Sequence, residues 1–319
     1  MGQLIKLQDY ISRYEQDIFL YPSRYVRLKK QRWEQLLDAW EKNDGRFFGP
    51  EPGEAADDWK LEEKQPLSER IKGIFSLKRR PEEPEPLPVP EKAVEEKLDF
   101  DPQFASRPDT ADELKQQFLD QLFKFQMKWA SSTIMEKSFV QRSFFYDPEL
   151  RFLLQRFPDT YLLLYKPVFR LKKAPVEAES VFITPTGAYC LSFMEEDEQA
   201  VFIGSKEHFW LKRTGKEEKK ILNPLIALDR TEKIVKSIFQ MYEIDFPVHK
   251  VLVSRKGYFD FPNVPYGVDL IEKRGFEEWF EGMRKNTSPI KHIQLKSAQI
   301  LLQYCQTTCV KRPEWGESE

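Results

Sequence analysis

The residues best able to do chemistry cluster between positions 166 and 213. Glu177 and Glu179 are two apart, so in an extended chain they share a face. Ser192, Met194 and Glu196 follow with the same period of two. Carboxylates converging from adjacent strands, with a lysine beside them, are what Mg²⁺-assisted phosphodiester cleavage needs. The acids hold the hard cation and the amine orients or activates water. Lys166, Lys206 and Lys212 are the amines within reach of such a site. The same lysines, with Arg170, Lys172, Lys173 and Arg213, form a candidate basic stripe for a nucleic-acid backbone. Glu195-Glu196-Asp197-Glu198 also reads as a solvated turn between strands.

Other chemistries find less support. The three histidines, His208, His249 and His292, form no ligand pair by spacing. The three cysteines neither build a disulfide scaffold nor complete a zinc site, although Cys305 and Cys309 would share a helix face. No metal ligand set is assigned and no cofactor is expected, apart from Mg²⁺ if the acids act together. No glycine-rich phosphate loop is present.

The chain has 319 residues, 40% hydrophobic and 14% aromatic, enough for a substantial core. Charged residues make up 32%, and the net charge of −2 means that any nucleic-acid contact must be a local patch. No apolar run has transmembrane length and no leader pattern opens the sequence. The reading is a reduced, cytoplasmic chain with no membrane partner.

Residues 1–48 are expected to be helical, since Leu4, Leu7, Ile11, Tyr14 and Ile18 repeat at three and four. A helical hairpin there would dock on the main domain or on a protein partner. It carries the basic cluster Arg24, Arg27, Lys29, Lys30 and Arg32. Residues 49–109 read as an acidic, proline-rich linker: 51–110 holds 16 acids against 10 bases. A helical lead-in covers 110–146, a globular unit 147–285, and a C-terminal helix and tail 286–319. Within the unit the expected strands are Tyr161–Arg170, Glu177–Thr184, Ala188–Phe193, Ala200–Gly204, His208–Arg213, Val248–Ser254 and Gly267–Ile271. Asn223-Pro224 opens a long helix. The order specifies an α/β (α+β) fold, a mixed central β-sheet flanked by helices.

Several stretches together resemble the nuclease-related domain (NERD) family. They are Phe157-Pro158-Asp159-Thr160-Tyr161, Glu179 through Pro185-Thr186-Gly187, Ala188–Met194, Gly204 with Trp210, Asn223-Pro224-Leu225, and Phe246-Pro247 to Ser254. The resemblance implies a restriction-endonuclease-like core and metal-dependent nucleic-acid cleavage. It places Glu179 on the first carboxylate position and Ser192-Phe193-Met194 on the family's Glu-x-Lys. Serine is a poor Mg²⁺ ligand, and methionine can neither carry charge nor activate water. The expectation is a catalytically degenerate binding or assembly module, on nucleic acid or a complex that contains it. One alternative is an active nuclease relocated onto Glu179 and Glu196. Another is a structural interaction protein without nucleic acid.

Overall fold

The computed structural model describes residues 1–49, 100–171, 174–195, 200–286 and 288–312. The chain opens with β1 (Gln3–Leu7), then α1 (Tyr21–Glu41), α2 (Ala111–Trp129), β2 (Glu136–Lys137) and α3 (Pro148–Arg156). Five strands follow: β3 (Leu162–Tyr165), β4 (Val168–Arg170), β5 (Pro175–Glu177), β6 (Ser180–Ile183) and β7 (Ala188–Phe193). Next come β8 (Ala200–Ile203), β9 (Phe209–Thr214), β10 (Glu217–Leu222), α4 (Pro224–Met241) and β11 (Val248–Val253). The described chain ends with β12 (Tyr258–Asp260), β13 (Val268–Ile271), α5 (Lys273–Lys285), α6 (His292–Tyr304) and β14 (Val310–Lys311).

The main sheet has six strands in the order β1-β3-β6-β7-β11-β13. β3, β6 and β7 run antiparallel in turn, while β1 lies parallel to β3 and β11 parallel to both β7 and β13. This is the mixed sheet with flanking helices that the element order implied. Helices cover both faces, so the central strands are apolar throughout rather than alternating. Leu163, Phe182, Leu191 and Val251 pack toward one side with Leu150, Leu153 and Phe280. Leu162, Leu164, Val181, Ile183 and Leu252 pack toward the other with Leu228, Val235 and Leu301.

Helix starts follow their local chemistry. Asp147 accepts from the backbone N–H of Glu149 and Leu150, and Pro148 fills the first helical position of α3. Asn223 and Pro224 do the same for α4.

Three expectations are corrected. The start of the chain is not a helical hairpin: Gln3–Leu7 is an edge strand of the main sheet, buried at all five positions. Burial on both faces removes the alternation that marks a strand, and the remaining apolar spacing imitates a helix. The apolar face of α1, with Tyr25, Leu28 and Leu36, is buried against the same chain. The end of the supposed linker is also packed. Phe100 lies 5.0 Å from Phe125, and Phe104 donates its N–H to the Phe47 carbonyl. The rest of that segment, 50–99, lies outside the described residues. Finally, the long strand expected at Tyr161–Arg170 is broken. Lys166 adopts φ 45° and Pro167 has no N–H to donate to the main-sheet ladder, so β3 stays in the main sheet and β4 turns away to pair with β5.

A second sheet, in the order β10-β9-β8-β12, was expected only as the β8–β9 hairpin. β10 was missed because Glu217-Glu218-Lys219-Lys220 carries no apolar signal, and its first four residues are exposed. Among the described residues no helix is long and apolar enough to cross a membrane.

Candidate functional site

Several chemistry-bearing side chains meet at one end of the main sheet, where β3 and β7 finish and β6 begins. Glu179 sits in the short connection between β5 and β6. Its backbone N–H donates to Thr231 Oγ1 of α4 at 2.9 Å, which fixes its position. Ser192, at the end of β7, lies beside Glu179, one step past the Ser180–Leu191 pair, and its hydroxyl favours the charged form of the Glu179 carboxyl. Burial pushes that carboxyl above its ordinary pKa, and Lys166, Ser192 and Arg230 only partly offset the effect.

Across from it, the first turn of α3 presents Glu149. Lys166 Nζ lies 3.4 Å from Glu149 Oε2. Burial raises the Glu149 carboxyl to about 7, against lowering by Lys166, with Asp147 and Glu179 adding smaller upward contributions. Tyr165 donates its hydroxyl to Asp147 Oδ2 at 2.6 Å, tying β3 to the start of α3. Burial holds the Tyr165 phenol protonated far above its usual range. The result is two partly desolvated carboxyls, Glu149 and Glu179, sharing the field of one lysine.

The candidate residues divide as follows. Glu179, Ser192 and Lys166 come together. Met194 lies just past β7, its N–H donating to the Val253 carbonyl and its own carbonyl accepting from Ser254 Oγ at 2.9 Å. Its side chain packs against the core. Glu177 ends β5 in an exposed position. Glu196, Lys172 and Lys173 lie outside the described residues. The basic stripe is split: Lys166 precedes β4 and Arg170 ends it, while Lys206, Lys212 and Arg213 belong to the second sheet or its approach. Arg213 is paired with Glu218 at 2.7 Å.

Sequence reasoning missed Glu149, Asp147 and Arg230. An acid in the first turn of a helix is ordinary, so Glu149 carries no signal of its own. Only the fold brings it to Lys166.

Whether these residues fit a divalent cation is answered by the donor set. Among the described residues no group of three or more histidines, cysteines or acids stands close enough to hold a metal ion. The two acids already share the field of Lys166, and Ser192 sets a neutral hydroxyl beside Glu179. Among the described residues these donors do not make up a Mg²⁺ site.

A curated protein named RNA 2',3'-cyclic phosphodiesterase, from Geobacillus stearothermophilus, is 43% identical to the chain over 127 residues. That stretch is 40% of this chain and 36% of the relative, so the match spans little more than a third of that protein. No family model matches the chain. No solved structure matches it either.

Proposed function

We propose that the chain is a catalytically degenerate, nuclease-like module that binds nucleic acid or works within a nucleic-acid-associated complex. The observation that carries this reading is the placement of Ser192 beside Glu179, one step past the Ser180–Leu191 pair of β6 and β7. A neutral hydroxyl stands where metal-dependent cleavage requires a second acceptor-only carboxylate. The run α3-β3-β6-β7-α4-β11 supports it, because it places three antiparallel strands and a parallel fourth between helices, as in a restriction-endonuclease-like core.

The test pairs a cleavage assay in Mg²⁺ or Mn²⁺ with a binding titration on DNA and RNA. Binding without cleavage is the expected result. Metal-dependent cleavage that disappears in Glu179→Ala would overturn it.

One observation favours a second reading. Glu149 and Lys166 bring an acid and an amine to Glu179 from elements that the sequence did not connect. Lys166 holds left-handed backbone there, a strained conformation for a residue with a Cβ. On this reading the site is relocated rather than lost, with Glu149 joining Glu179. Cleavage abolished equally by Glu149→Gln, Lys166→Met and Glu179→Ala would establish it.

A further inference from the structure

The second sheet has one face in the core and one face open. Trp210 of β9, Phe202 and Ala200 of β8 are buried to within 1% of complete, and Phe259 and Phe261 pack on the Trp210 ring. Strand residues alternate, so Phe209, Leu211 and Arg213 point the other way. The register sets Phe209 opposite Leu222, Leu211 opposite Lys220, and Arg213 opposite Glu218. It also sets Arg213 opposite Val201, whose partner on β12 is Tyr258. The Arg274 guanidinium lies 5.2 Å from the centre of the Tyr258 ring.

This open face carries exposed apolar groups that no described element covers. Phe209 is 56% exposed and Leu222 62%. The hairpin from Lys212 to Lys220 bears five cations against two acids, in a chain whose net charge is −2. Aromatic rings on an open sheet face with cations beside them are what single-stranded nucleic acid needs. Every base has a π-face to stack, and every phosphate a charge to neutralise.

We infer that the open face of the β10-β9-β8-β12 sheet is a platform for single-stranded nucleic acid. Bases stack on Phe209 and Tyr258, while Lys220, Arg274 and Arg213, which exchanges its pair with Glu218 for a phosphate, meet the backbone. The inference rests on the nucleic-acid reading above and gives that reading a surface separate from the Glu149–Glu179 cluster. A duplex offers no free base faces, so single strands are preferred.

The experiment is a fluorescence-anisotropy titration of the full chain with labelled oligo(U) and oligo(dT), and with a duplex of equal length, at two salt concentrations. Single strands bind more tightly than the duplex. Phe209→Ala weakens their binding roughly five- to a hundredfold. Arg213→Glu combined with Lys220→Glu flattens the slope of log affinity against log salt by roughly 1.4. These side chains are exposed, and unchanged melting temperatures confirm that the variants fold. If the parent chain binds and the variants bind as it does, the platform is wrong and the broader reading stands. If the parent binds nothing, both fail. If light scattering shows a dimer that Phe209→Ala dissociates, the face belongs to a second copy and the inference is overturned.

Discussion

Lys166 Nζ stands 3.4 Å from Glu149 Oε2, joining the break after β3 to the first turn of α3. The carboxyl keeps a raised pKa of about 7 even with this cation beside it, because burial outweighs the attraction. Glu149 therefore binds a proton in the folded state across a range where the unfolded chain has released it. Stability should fall as pH rises from about 4.5 to about 7 and then level, by up to roughly 3 kcal/mol. Denaturant titrations at stepped pH would show that slope. Glu149→Gln should remove most of it, and an unchanged slope would assign the effect elsewhere.

Removing the lysine moves the same equilibrium. Lys166→Met leaves Glu149 desolvated with Asp147 and Glu179 nearby, so its carboxyl should titrate above the parent value. Carboxyl-carbon NMR across the pH range measures this directly. A shift in the opposite direction would mean that the lysine does not hold the acid in solution.

Ser192→Asp tests the proposal of a degenerate site at the end of β7. A carboxylate at a position only 8% exposed, facing Glu179, should lower the melting temperature in metal-free buffer. Added Mg²⁺ should restore part of the loss, since the pair then has a cation to share. No difference between buffers with and without Mg²⁺ would show that the geometry does not suit a cation even with a second acid in place.

Lys6 is fully buried and bonds Glu15 and the Thr307 hydroxyl. Glu15→Ala should cost about 3–5 kcal/mol, because it strands a buried ammonium. Lys6→Met with Glu15→Leu should recover much of that in thermal or denaturant unfolding. If Glu15→Ala alone were near neutral, the pair would be more hydrated than its burial indicates.

A Cβ at Gly204 would fall 2.5 Å from the Phe261 ring, which itself packs on Trp210. Gly204→Ala should destabilise by about 1–3 kcal/mol through overpacking. Phe261→Leu in the same chain should relieve part of it, and simple additivity of the two changes would sink this account.

Much of the main sheet was legible in the sequence. The Asn223-Pro224 opening of α4, the apolar runs of β7 and β11 and the Pro-Thr-Gly turn all carry short-range signals that survive folding. What stayed hidden depends on partners distant in sequence. β1 contains Gln3 and Lys6, polar residues that read as solvated until Asp159 and Glu15 are placed beside them. Phe100 and Phe104 look stranded in an acidic, proline-rich stretch, yet they find Phe125 and Phe47. At the site, Glu179 and Ser192 were legible as neighbours across one hairpin. Glu149 was not, because its role exists only through a helix terminus docked against the end of another strand.

The stitching of β1 has a consequence for how the chain is made. Gln3–Leu7 hydrogen-bonds to Leu162–Tyr165, and Thr308 donates its N–H to the Asp9 carbonyl and its hydroxyl to Asp9 Oδ2. Gln3–Leu7 is thus held by residues about 150 positions later, and Asp9 by one about 300 positions later. During synthesis the strand stays unpaired at least until residue 162 has been added. At roughly 5–20 residues per second, that interval is long compared with any collapse step. Nascent chains halted before residue 162 should therefore be the ones that recruit chaperones.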